Sequence, residues 1–190
     1  MRTFVAHSRL LPFGSAAFLA ASLAVSGCHN QPAHPDQKPF VTTALSTNNL
    51  GNISVSQDRD KGVITLTGNL GSDDLKTEAE SLARQAAPDY TIADEIGVRP
   101  PGAEGQARAV SSSLDSGIED NFKASIKAHR NLDKQSIDYK AKNGTLVLKG
   151  TVKTDQQKKE AESLARQVPN VQQVVNEILV DPRKHSPANS

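Results

Sequence analysis

Tryptophan is absent from this sequence, cysteine and methionine occur once each, and aromatic residues make up only 4% of its 190 positions. A lone cysteine has no disulfide partner in the chain and cannot assemble a thiolate metal cage. The five histidines, at positions 7, 29, 34, 129 and 185, stand in no metal-ligand spacing. Neither a Gly-x-Ser-x-Gly elbow nor a phosphate-cradling glycine-rich loop occurs. No enzyme, cofactor or metal site is therefore expected. Formal net charge is only +1, which argues against a strongly basic nucleic-acid binder. The longest apolar run, Leu10 to Val25, contains Pro12 and Gly14, and it falls short of the roughly 20 residues that cross a bilayer.

That short run has a different use. It follows a basic start (Arg2, Arg9) and ends in Val25-Ser26-Gly27-Cys28, the three-part layout of an export signal. The last four residues resemble the lipobox of bacterial lipoproteins, in which the cysteine is acylated and becomes the new N-terminus. Residues 1–27 are expected to be removed and Cys28 to carry lipid; an unmodified thiol behind an ordinary cleaved signal is the plainer alternative. Position 29 holds His rather than the Asp that favours inner-membrane retention, which points to the outer membrane. Residues 28–39 are polar and proline-bearing and are expected to form a flexible stalk.

The mature part repeats itself. Glu78 to Gln85 and Glu160 to Gln167 both read EAESLARQ, 82 positions apart, and at the same offset Gly62 matches Gly144, Gly68 matches Gly150 and Glu95 matches Glu177. Two related units follow, over residues 40–99 and 114–180. Between them, 100–113 starts Pro-Pro-Gly and continues in Gly, Ala, Arg and Ser, the composition of a linker. Residues 181–190 are expected to be a disordered tail.

In the second unit Ile118, Phe122 and Ile126 recur at helical spacing, and Ile137 and Tyr139 alternate as a strand. Asn143-Gly144 is a hairpin signal, and Thr145 to Lys149 is the return strand. Thr154 and Gln157 form a capping box ahead of a helix that presents Ala161, Leu164, Ala165 and Val168. Val174 to Val180 closes the unit as a strand. The predicted class is α+β: two small αββαβ domains, each a three-stranded mixed sheet packed on two helices. Domains of about 60 residues bury only about 60% of their unfolded surface, so each would be modestly stable alone.

This order, the Gly-x-Leu/Val-x-Leu-x-Gly hairpin strands (Gly62 to Gly68, Gly144 to Gly150) and the ending Val171, Val174, Asn176, Ile178, Val180 resemble the BON domain. The first unit departs from the pattern with Asp89-Tyr90-Thr91-Ile92 at the turn and Asp94 in the Asn position. The resemblance implies attachment to phospholipid membranes and maintenance of the envelope. The alternative is a lipid-tethered module that binds another envelope protein or a cell-wall polymer.

Charge divides the units. Residues 36–99 hold 6 Lys and Arg against 10 Asp and Glu, a net of −4, whereas 114–180 hold 11 against 9, a net of +2. Anionic headgroups would favour the second unit. At 100° per residue Lys123, Lys127 and Arg130 share one arc beside Ile126, and they are the membrane-binding candidates together with Phe122, whose competing role is core packing.

Overall fold

The computed structural model describes residues 33–183. The export signal, Cys28, the first part of the stalk and residues 184–190 lie outside the described residues. In the first domain α1 (Lys38–Thr47) precedes the hairpin β1 (Ser54–Asp58) and β2 (Val63–Leu70), followed by α2 (Asp73–Ala86) and β3 (Thr91–Val98). The hairpin is antiparallel, and α2 crosses over so that β3 lies parallel to β2. Ile64, Leu66, Ile92 and Ile96 alternate toward the helices and are buried with Val41, Leu45, Ala79 and Ala83.

The second domain repeats the order with α3 (Glu104–Ala128), a one-turn α4 (Arg130–Asp133), β4 (Ser136–Lys142), β5 (Thr145–Val152), α5 (Asp155–Arg166), β6 (Gln173–Asn176) and β7 (Leu179–Val180). Its core gathers Ile118, Phe122, Ile126, Leu146, Leu148, Ala161, Ala165 and Ile178. Asn143 and Gly144 both adopt left-handed φ, at 49° and 83°, as a two-residue hairpin turn requires. Both hydrogen bonds of the predicted capping box between Thr154 and Gln157 are made. Gly150, at φ 108°, leaves no room for a side chain, because a Cβ there would collide with the Ser136 carbonyl oxygen.

Most of the repeated octapeptide has a structural role. Its alanines are wholly buried, and Arg84 reaches Glu80 at 2.6 Å as Arg166 reaches Glu162 at 2.7 Å. Ser81 and Gln85, which composition leaves unexplained, are joined by a side-chain hydrogen bond of 3.0 Å, and Ser163 and Gln167 by one of 3.2 Å. Each pair spans one helical turn.

Three expectations are corrected. The segment 100–113 is not an unstructured linker, since α3 begins at Glu104 and runs through it. No proline follows Pro101 there, Ala, Gln and Arg are good helix formers, and extending the helix that holds Ile118 costs far less than nucleating a new one. The stalk's C-terminal end is not free either. Tyr90 Oη donates to the Pro35 carbonyl at 2.6 Å, Gln57 accepts from the Gln37 and Lys38 amides, and the His34 ring packs on Tyr90. Finally, the closing strand of the second domain is broken at Glu177 and Ile178, so β6 and β7 pair separately with β5 and the sheet has four strands. Asn176 Oδ1 accepts the Ile178 amide at the break.

Candidate functional site

The faces of the two sheets that point away from their helices meet each other. Val63 and Ala93 of the first domain and Val147 and Val175 of the second form one small buried cluster. Around it the charges interlock almost symmetrically: Lys61 Nζ lies 2.6 Å from Glu177, and Lys142 Nζ lies 3.0 Å from Glu95. Glu95 and Glu177 are repeat equivalents, as are Ala93 and Val175, whereas Val63 corresponds to Thr145, Val147 to Thr65 and Lys61 to Asn143, so the two surfaces are related but not identical. The Lys61 pKa is raised, first by the hydrogen bond to Glu177 and against the opposing effect of burial.

The exposed edge of β3 is closed by side chains of the second domain. Gln173 acts as a surrogate peptide group: its Oε1 accepts the Asp94 amide at 2.8 Å and its Nε2 donates to the Ile92 carbonyl at 2.8 Å. Thr145 Oγ1 donates to the Asp94 carbonyl, and Asn143 Nδ2 to that of Glu95 at 2.8 Å. An unpaired sheet edge is thereby satisfied without a strand being added. Asp94 itself is buried, and burial raises its pKa against the opposing influence of the Ile96 amide and Lys76. Sequence reasoning missed this seam, although Glu95 and Glu177 stood out as identities without an assigned role.

The predicted membrane residues sit elsewhere. Lys123 and Lys127 are exposed on the last turns of α3, and Arg130 is exposed at the start of α4. The helix breaks at His129, which has extended ψ (97°), so Arg130 does not continue the α3 stripe. The three residues still occupy one end of the second domain, and no carboxylate among the described residues lies within 4 Å of any of them. Lys134, exposed just beyond α4, adds a fourth positive charge that helical periodicity did not reveal. Phe122 is not a surface wedge: it is 0% exposed and meets Tyr139 edge-on with ring centroids 5.1 Å apart. Its helix is amphipathic, and the apolar face is consumed by the domain's own core. Cys28 lies outside the described residues. Among the described residues no helix is long and apolar enough to cross a membrane, and no group of three His, Cys, Asp or Glu is placed to hold a metal ion.

Osmotically-inducible protein Y of Escherichia coli (strain K12) is 26% identical over 130 residues, covering 68% of this chain. The matched stretch spans 63% of that relative's length. Among solved structures, two of CdsD, a structural protein of the type III secretion system of Chlamydia trachomatis, show a remote likeness. One, of its C-terminal domain, has 13% identity, covers 75% of this chain and 63% of that one, and has a TM-score of 0.28. The other has 12% identity, covers 77% and 92%, and has a TM-score of 0.33. The BON domain family matches twice, over residues 41–100 and 114–182, more than half of the chain. With one αββαβ domain at each matched stretch, the chain belongs to the BON domain family as a tandem of two.

Proposed function

We propose that this chain is a lipid-anchored protein of the bacterial envelope, held through Cys28 and facing the periplasm from the outer membrane, whose BON domains associate with anionic phospholipid. The observation that carries the reading is the unpaired cationic end of the second domain, where Lys123, Lys127 and Arg130 are joined by Lys134. Each Lys or Arg near an anionic surface contributes on the order of 1 kcal/mol, so four can hold the protein loosely and acyl chains fix it firmly. The likeness to an osmotically inducible protein supports an envelope setting. With Phe122 in the core, contact is electrostatic rather than wedge-like.

The test uses the full chain with Cys28→Ser, since the second domain packs against the first. At low salt this protein should float with phosphatidylglycerol vesicles, remain behind with zwitterionic ones, and detach as salt shortens the screening length. Reversing Lys123, Lys127 and Arg130 to Glu should remove flotation while circular dichroism stays unchanged. Undiminished flotation of that variant would move the contact elsewhere. If the parent protein binds no vesicle, the tether serves a module for another envelope protein or a cell-wall polymer.

A further inference from the structure

Arg99, the residue after β3, places its guanidinium among neutral groups only. Nη1 donates to the Val98 carbonyl at 2.9 Å and to the Ser111 hydroxyl at 3.1 Å, and Nη2 donates to the Asn143 side-chain oxygen at 3.2 Å. Its Nε is buried without a hydrogen-bond partner, and no carboxylate among the described residues comes within 4 Å of the group. A partly buried positive charge with no counter-charge is unfavourable, and an anion relieves it.

Beside Arg99 opens a pocket of about 290 Å³ between α3 and the β4–β5 hairpin, also lined by Arg108, Ser112 and Ser116. Arg108 is exposed and, like Arg99, has no ion-pair partner among the described residues. The acidic groups in the wall are engaged. Glu119 pairs with Lys140 at 2.9 Å, and the two oxygens of Asp115 accept the Asn143 and Gly144 amides at 2.9 and 3.0 Å. Lys142, also in the wall, is paired with Glu95 at 3.0 Å, so two guanidinium groups face the single uncompensated charge of Asp115. The remaining excess of one positive charge suits a singly charged anion better than a dianion.

We infer that this pocket binds a phosphate group in monoanionic form, the chemistry shared by a phospholipid's phosphodiester and by free dihydrogen phosphate. Arg108 and Arg99 supply the charge and the Ser112 hydroxyl donates a hydrogen bond, in the manner of arginine and phosphate generally. Its charged anchor is distinct from the cationic end: Lys123 lies 15 residues beyond Arg108 on α3, about 22 Å at 1.5 Å per residue, although the pocket's wall extends along the helix as far as Glu119.

The experiment follows amide resonances of the full Cys28→Ser chain as inorganic phosphate is added at mildly acidic pH, with flotation on phosphatidylglycerol vesicles as a second arm. Saturable shifts at Ser111, Ser112 and Ser116, weakened about tenfold or more by Arg108→Gln, are expected. Arg108→Gln should leave the circular dichroism spectrum and melting temperature unchanged, because Arg108 holds no structural contact. If the same substitution also weakens flotation the anion is a lipid headgroup, and if flotation is unaffected it is free phosphate; both results support the site. The Lys123, Lys127 and Arg130 reversals should leave the phosphate shifts intact, which separates this inference from the membrane reading. Shifts unaltered by Arg108→Gln, or no saturable shift at millimolar phosphate together with unaltered flotation, would overturn it.

Discussion

Asp94 shows how one atom distinguishes two otherwise equivalent positions. Its counterpart Asn176 accepts the Ile178 amide through Oδ1 and donates through Nδ2 to the Lys158 carbonyl and Glu162. Asp94 accepts the Ile96 amide in the same way, but its second oxygen has nothing to donate and sits 3.9 Å from Lys76. Burial raises its folded pKa, so its contribution to stability is fully present below the ordinary Asp value of about 3.9 and is lost as pH rises through the folded value. Asp94→Asn should therefore stabilise the fold near neutral pH by on the order of 1 kcal/mol, and the gain should vanish in acid. Urea unfolding across that range tests this; a gain independent of pH would contradict it. The sequence marks the position as an exception to the family pattern, but the reason lies in what surrounds it. Tyr90, the other exception, is explained by the stalk it binds.

At the scale of elements, local signals were legible and context was not. Asn143-Gly144 and Thr154 with Gln157 act through their own backbone, and both form as their chemistry dictates. The start of α3 has no such signal. Glu104 to Ser113 lacks apolar periodicity, and it is helical because the helix behind it is already formed and because Ser111 meets Arg99 from the first domain. Hydroxyls also bond back along the helix, Ser111 to the Ala107 carbonyl and Ser116 to that of Ser112. The peptide bond after Arg108 should consequently resist trypsin in the native protein, since cleavage needs several residues in extended form. Rapid cutting there with release of two folded pieces would show that the helix does not persist in solution.

At the scale of the whole molecule the repeats act as one body because each uses its second sheet face on the other. The apolar part of that contact is small, so the polar groups specify the register. Gln173 carries the largest share: replacing it with Ala leaves the Asp94 amide and the Ile92 carbonyl without partners, at roughly 1–3 kcal/mol for each buried group. Gln173→Ala should split a single thermal transition into two, read by calorimetry; an unchanged single transition would mean that the edge contact does not couple the domains. None of this was legible beforehand, since Gln173 has a structural role only when β3 lies opposite it. The cationic end was partly legible, because charge counting located the domain and helical spacing found two of its residues on one helix.

Hydrogen exchange of the Cys28→Ser chain with and without phosphatidylglycerol vesicles tests the central claim most directly, that the docked pair presents the far end of its second domain to lipid. The account predicts slower exchange from Lys123 to Lys134 on adding vesicles, with the β3 edge equally protected in both states. Vesicle binding that slows exchange in the first domain while leaving Lys123 to Lys134 unchanged would contradict it.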